Sequence, residues 1–306
     1  MFWSSHMRKQ VVDNSMRHNQ KARFQKKTLL FLDYFVMILL AFFFLFPFWV
    51  MAVGSLKPEK LIFDDLKSVI WAFIPRDVNL ENYAYIFNRI PFLTYFKNTI
   101  VIVLTTIVSG LFVNSMIAYA LARLRWKGKK FIIGAILALT IVPLETIVVP
   151  LLMVSNKLPW FNGATSWLDS LHVQIIPFIC DAFSIYLFYQ SFIQIPKDYD
   201  EAAIMDGANP FVIFSRVIIP LARSTFVAVA IIQLIFLWSA YLWPLMVTRT
   251  EAFRPLTLGV TYLYNMDIRW GPILAYATLS NLPSVLLFIV FQKGFLRSIA
   301  SGSVKG

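Results

Sequence analysis

The chain of 306 residues is 58% hydrophobic and only 14% charged, with a mean hydropathy of +0.68, which excludes a soluble globular domain and places it among integral membrane proteins. Its net charge of +12 would suggest nucleic acid in a soluble protein, but the basic residues flank apolar runs, where they orient a chain against the bilayer. With Cys180 as the only cysteine, an internal disulfide and a cysteine metal site are both excluded.

Residues 1–27 form a basic tail carrying Arg8, Lys9, Arg17, Lys21, Arg23, Lys26 and Lys27. The first apolar run, Thr28 to Gly54, has the length of a bilayer span and exceeds the core of a cleavable signal, so it reads as a retained anchor. Five further windows of about 20 apolar residues follow: Asn98 to Ala122, Phe131 to Ser155, Leu171 to Ile195, Ser224 to Thr248 and Pro272 to Gln292. None alternates polar with apolar as barrel strands do, so an all-α integral membrane protein with six transmembrane helices is expected. These helices make a transmembrane domain over residues 28–297, leaving 298–306 as a tail.

Arg123, Arg125, Lys127, Lys129 and Lys130 follow the second window, whereas the lysines and arginines between Ser55 and Lys97 are offset by Glu59, Asp64, Asp65, Asp77 and Glu81. The positive-inside rule therefore puts both termini and segment 196–223 in the cytoplasm, and the stretches Leu56 to Phe96 and Arg249 to Gly271 outside. Pro47, Pro143, Pro150, Pro177, Pro244 and Pro283 punctuate the windows. Each removes a backbone donor, so kinks are expected around a cavity.

The segment 196–223 is a polar island between two apolar runs. Pro196 to Asp200 suits a helix start, Gly207 a stop, and Asn209-Pro210 an N-cap with its first helical residue. A helix-turn-helix hairpin is expected, with Glu201 and Asp206 available for ion pairs and the small Ala202, Ala203 and Ala208 allowing close approach. Local physics equally permits a simple interfacial connector.

The spacing Glu201-Ala202-Ala203, Gly207, Val217, Ile219-Pro220 resembles the signature cytoplasmic loop of permease subunits in bacterial ATP-binding-cassette importers. Further landmarks resemble the carbohydrate branch, in particular the maltose-type second membrane subunit: Pro47-Phe48-Trp49, Ser55-Leu56-Lys57, Asn79 to Tyr83, Ala118 to Arg125 with Lys127-Gly128, and Phe291-Gln292-Lys293 through Gly306. The resemblance implies the type I importer permease fold with a coupling-helix hairpin. It also implies a heterodimer with a related permease, two ATPase subunits that bind ATP and Mg, an extracytoplasmic solute-binding protein and a sugar substrate. On that pattern Glu201 anchors an ion pair, Ala202 and Ala203 give the close-contact surface, and Gly207 provides the bend. The terminal Gly302, Ser303, Val304, Lys305 and Gly306 are implied to reach the ATPase subunits.

No Gly-x-x-x-x-Gly-Lys-Ser/Thr loop occurs in the sequence, so ATP chemistry is expected in trans and no cofactor or metal is expected on this chain. His6, His18 and His172 support no catalytic triad. Charges inside spans mark a pathway or a buried pair, which singles out Glu145 and Asp181. Gln233, Trp238 and Tyr241 are polar and aromatic groups suited to sugar hydroxyls and ring faces; packing is the alternative for the aromatics. Trp238-Ser239-Ala240 departs from the Trp-Asn-Asp common in the family. A secondary transporter and a permease for a non-sugar solute remain as rivals, although no inverted repeat is evident.

Overall fold

Apolar runs without period-two alternation satisfy their backbone internally, and the described elements are accordingly helices, with no strand among the described residues. The computed structural model describes residues 30–161, 163–266 and 268–303, with the backbone alone at 265, 266, 288 and from 290 onward. The basic residues of the N-terminal tail and Val304, Lys305 and Gly306 lie outside the described residues.

Helix α1 (Leu30–Ser55) is 26 residues long, about 39 Å at the helical rise and ample for a bilayer core. It meets the rest of the chain near its C-terminal end, where Phe42 and Phe46 lie 6.1 and 5.7 Å from the Phe73 ring and the Trp49 indole donates to the Phe73 carbonyl at 3.0 Å. Short helices α2 (Glu59–Asp64), α3 (Val69–Phe73) and α4 (Glu81–Arg89) then build a cap. Within it Asp65 is fully buried between Lys57 and Arg76, each 3.3 Å away.

Helix α5 (Phe92–Arg123) starts a turn and a half before the expected span, since Phe92 and Tyr95 are buried in the outer core and extend the ladder beyond the apolar window. The third span is corrected. Instead of one helix over Phe131 to Ser155, α6 (Lys129–Ile141) and α7 (Leu144–Ser155) meet at 104°, a broken span or a re-entrant loop. Pro143 supplies no amide, and both it and Val142 are extended, the conformation a residue before proline prefers.

The fourth span is crossed by α8 (His172–Ile175), a 3-10 turn at Ile176–Phe178 and α9 (Ala182–Gln194), with Pro177 and Asp181 at the interruption. The polar island folds as α10 (Asp198–Met205), α11 (Pro210–Ile213), a π turn at Phe214–Ile218 and α12 (Ile219–Leu221). A 79° bend leads into α13 (Arg223–Trp238). The fifth window also breaks, at Ser239 to Tyr241, before α14 (Leu242–Val247). Helix α15 (Leu256–Met266) occupies a stretch expected to be loop, and α16 (Trp270–Ser303) contains the sixth window and continues through Gly302 and Ser303. Among the described residues three helices are long and apolar enough to cross a membrane, or up to five if each bent pair is one span, against the six expected.

Helix α5 packs on α9 and α13, and α13 on α16. The buried core divides into three clusters: an inner one, against which Ala203 and Ala208 of the hairpin segment pack, joins Ala118, Phe188, Phe192, Phe214 and Ile218; an outer one joins Ile86, Tyr95, Leu256 and Tyr276; a third gathers Val148, Val173, Trp243 and Val247. The outer end is stapled by polar groups: Glu59 accepts from the amides of Trp270 and Gly271 at 2.8 and 2.7 Å, where a carboxylate meets the positive end of α16. Asn98 donates to the carbonyls of Ala252 and Arg254.

Candidate coupling hairpin and solute cavities

The hairpin begins with three acids, Asp198, Asp200 and Glu201, in the first turn of α10, complementing the helix dipole. Its end is a Schellman motif: the Gly207 amide donates to Ile204 and the Ala208 amide to Ala203, both at 2.9 Å, with Gly207 at φ +81°. Asn209 then caps α11 by accepting from the Val212 amide at 2.9 Å, with Pro210 as the first helical residue.

Glu201, Ala202 and Asp206 are exposed, whereas Ala203 and Ala208 turn partly inward against the inner cluster. Around the exposed group stand Tyr199, Ile204, Phe211 and Met205, the last 87% exposed. An apolar rim and two carboxylates are thus exposed together on one short hairpin.

Sequence reasoning missed what holds the hairpin. Arg123, at the end of α5, donates from Nη2 to the Ile195 carbonyl at 2.7 Å and sets Nη1 3.4 Å from Asp200 Oδ2. The pair is nearly dry, with side chains 4% and 16% exposed. Burial pushes the Asp200 carboxyl above its ordinary value against the pull of Arg123 and Lys197, and Glu201 adds to the rise. This contact also places the Arg123 to Lys130 turn and the hairpin at the same end of the bundle.

The five pathway candidates fall into two cavities. Glu145, Trp238 and Tyr241 line one of about 230 Å³, together with Gln174, Phe178 and Trp243. Asp181 and Gln233 line another of about 270 Å³, with Cys180, Phe183 and Phe236. Phe178, Phe236 and Leu237 contribute to both and form the wall between them.

Several of these groups also have structural work. Asp181 caps α9, its Oδ2 accepting from the Ser184 amide at 2.8 Å, while its own amide donates to Asn114 Oδ1. The Trp238 indole donates to the Ser280 carbonyl at 3.2 Å, tying α13 to α16, and Tyr241 shares a 3.0 Å hydrogen bond with Thr261. Glu145 opens α7 just past the Pro143 bend and is exposed. Gln174, not singled out from sequence, is 2% exposed and donates to the carbonyls of Ser170 and Phe253. A polar residue inside an apolar window was the available signal for it.

Comparison with known proteins decides what this arrangement belongs to. Residues 114–300, which contain the whole hairpin, match the family of binding-protein-dependent transport system inner membrane components. The chain belongs to that family. It is a permease component of an ATP-binding-cassette transport system and an inner-membrane protein. It is 32% identical to the arabinooligosaccharides transport system permease protein AraQ of Bacillus subtilis, over 88% of this chain and 93% of that one. Against the trehalose transport system permease protein SugB of Mycobacterium tuberculosis the identity is 33%, over 84% and 91%. The fold matches a chain of a bacterial ABC transporter involved in the import of the acidic polysaccharide alginate, with TM-score 0.74, 21% identity and coverage of 87% and 96%.

Proposed function

We propose that this permease forms half of the translocation pathway of an ATP-driven importer of sugars or oligosaccharides, paired with a second, related permease. The observation that carries the coupling half of this proposal is the hairpin. Its carboxylates and apolar rim are exposed, while its root is bound to α5 and α9 through Arg123. A separate ATPase subunit, holding ATP and Mg, covers Glu201, Ala202, Asp206 and the rim. Its closure displaces the hairpin, and the buried root carries that displacement into the bundle as a rigid-body swing between inward- and outward-facing states.

The sugar assignment is supported by the permease relatives named for arabinooligosaccharides and trehalose. A basic turn at the hairpin end supports a cytoplasmic hairpin and cytoplasmic termini. The cap over residues 56–91 and the loop around α15 then face outward, where a solute-binding protein delivers its cargo. Gly302 to Gly306 provide a second contact with the ATPase subunits, and Ala202 the close one, with Ala203 and Ala208 supporting it from within.

The test is uptake into proteoliposomes holding the full complex and its binding protein. ATP-dependent sugar uptake should persist with every ion gradient collapsed, and Gly207→Trp should abolish uptake while leaving ATP hydrolysis by the complex. Uptake driven by an ion gradient without ATP overturns the proposal, as does full transport by Gly207→Trp.

A further inference from the structure

The interruption of the fourth span leaves backbone groups that the helix ladder cannot serve, and side chains from other elements serve them. Pro177 has no amide for the Val173 carbonyl, and the buried Trp243 indole donates there instead, at 2.9 Å. Asp181 is extended, with φ −119° and ψ 120°, so the ladder lapses around Cys180. One side chain bridges that gap from the neighbouring helix. Asn114, on α5 and 0% exposed, donates from Nδ2 to the Ile179 carbonyl and accepts at Oδ1 from the Asp181 amide, both at 3.0 Å. It thereby grips the backbone on either side of Cys180. Gly110, one turn earlier on the same face of α5, permits the close approach: an added Cβ would lie 3.2 Å from the Ile179 carbonyl oxygen and 3.1 Å from Gln233 Nε2. The other two breaks are built differently. At Pro143 the amides of Val142 and Thr146 bond to carbonyls three residues back, and at Ser239 to Tyr241 the Ala240 carbonyl receives the Thr257 hydroxyl. Among the described residues, only the break in the fourth span has a donor and an acceptor held together by one side chain of another helix.

We infer that Asn114 is the positioning residue of this break: it fixes Phe178 to Asp181 in the cavity walls and ties their placement to α5, the helix that also holds the root of the hairpin. The gripped segment supplies Phe178, Cys180 and Asp181 to the second cavity, and Phe178 to the first as well. Nine residues further along α5, about 14 Å at the helical rise, Arg123 binds Ile195 and Asp200. Helix α5 therefore holds the fourth span at two places, at its break and at its exit into the hairpin. Between them α5 and α9 meet through apolar packing, with Ala118, Leu121, Ile185, Phe188 and Phe192 in one cluster. Apolar contact is non-directional and tolerates sliding, whereas hydrogen bonds weaken steeply off their geometry. A shift of α9 against α5 is resisted first at Asn114, and in a dry interior the two backbone groups it serves have no ready substitute. The inference rests on the importer role proposed above and adds a residue to its coupling path.

Asn114→Leu keeps the side-chain size and removes both bonds, while Gly110→Ala keeps Asn114 and pushes α5 away from the Ile179 carbonyl. Ser115→Ala is the control, since the equally buried Ser115 hydroxyl donates to the Phe112 carbonyl of its own helix at 3.1 Å. The full complex, reconstituted with its binding protein, is measured for amide hydrogen exchange, ATP hydrolysis and sugar uptake. In Asn114→Leu, exchange at the Asp181 amide should quicken about tenfold, the weight of one net hydrogen bond, with exchange across α10 unchanged. Sugar taken up per ATP hydrolysed should fall about three- to tenfold. Gly110→Ala should move both quantities the same way by about twofold, and Ser115→Ala should match the wild type in both. Unchanged exchange at Asp181 overturns the inference. So does a proportional fall of hydrolysis and uptake, because a residue that only supports the fold costs both activities alike. Where Asn114→Leu fails to assemble, Gly110→Ala decides on the same two criteria. A wild-type complex that takes up no sugar with ATP overturns the importer reading itself; with wild-type uptake intact, an unaltered ratio in the variants overturns only the role of Asn114.

Discussion

Removing the charge of Asp200 should damage the hairpin more than removing the charge of Arg123, and the asymmetry follows from their chemistry. At 3.4 Å the pair has a gross attraction of about 5 kcal/mol at an effective dielectric of 20. Against it stand burial of both charges and two unpartnered atoms, Arg123 Nε, which donates no hydrogen bond, and Asp200 Oδ1, which accepts none, each leaving about 1–3 kcal/mol uncompensated. The pair is therefore near neutral as a whole, and only its halves are costly. In Asp200→Asn the guanidinium stays charged at any accessible pH and almost dry, so a loss of about 3 kcal/mol is expected, with no pH dependence. In Arg123→Met the methionine keeps the packing volume, and Asp200 escapes by protonation. Its carboxyl is already held above 3.8 and rises further without Arg123. A raised folded-state value means that docking is strongest below 3.8 and weakens as pH rises through the folded value, so Arg123→Met should recover protection on acidification. The double variant removes both charges and should recover at least ~2 kcal/mol of the Asp200→Asn loss. Amide hydrogen exchange across α10 measures each quantity, and uptake per ATP hydrolysed should follow it. Equal losses in the single variants, strictly additive in the double, would refute this account.

Three further outcomes are expected. At Gly207 an added Cβ meets nothing within 4 Å, so only the φ of +81° penalises a side chain; Gly207→Ala should weaken hairpin protection by ~1–2 kcal/mol and Gly207→Asn by less, read by the same exchange experiment. Gly259→Ala differs in kind, because its Cβ would fall on the fully buried Tyr276 hydroxyl, which donates to the Leu256 carbonyl at 2.7 Å; overpacking plus the lost bond should cost about 2–4 kcal/mol and lower the melting temperature in detergent. Asp169, at φ +56°, accepts from the Arg249 and Thr250 amides and the Thr250 hydroxyl. Partial burial pushes its carboxyl up, but those bonds and the Arg249 charge outweigh it and leave it below 3.8. A depressed value stabilises the outer loops above 3.8 and is lost as pH falls through the folded value, so exchange at Thr250 should accelerate only in that acid range, and Asp169→Ala should abolish the dependence.

Much of the architecture was legible because the bilayer imposes a length and an apolar composition that single windows reveal. Thr28 to Gly54 and Asn98 to Ala122 sit within helices α1 and α5 to within a few residues except at the Phe92 start, where Pro91 before an aromatic turn was the neglected sign. Hairpin punctuation was equally readable, since Gly207 and Asn209-Pro210 act through local geometry. Helix breaks were only half visible. Pro143 announces a lost hydrogen bond, but the 104° turn depends on what α7 packs against. Helix α15 is not legible in the sequence because its buried residues, Leu256, Leu258 and Leu263, are too few to stand out beside full spans. The Arg123–Asp200 pair was invisible, since no local pattern marks which acid among Asp198, Asp200 and Glu201 turns inward.

The distribution of breaks bears on how the permease moves. The two ends are firmly tied: the outer by Glu59, Asn98 and Asp169, the inner by Arg123 and the packed inner cluster. The ladder is interrupted between them, at Pro143, at Pro177 to Asp181 and at Ser239 to Tyr241. These are the segments that supply Glu145, Phe178, Asp181 and Tyr241 to the cavities. Non-helical backbone at membrane depth is tolerated where it lines a cavity, and such segments absorb rotation that packed helices resist. On the importer role proposed above, a displacement applied to the hairpin enters through its tie to α5 and α9 and is taken up at these breaks, so that the coupling motion reshapes the cavity walls.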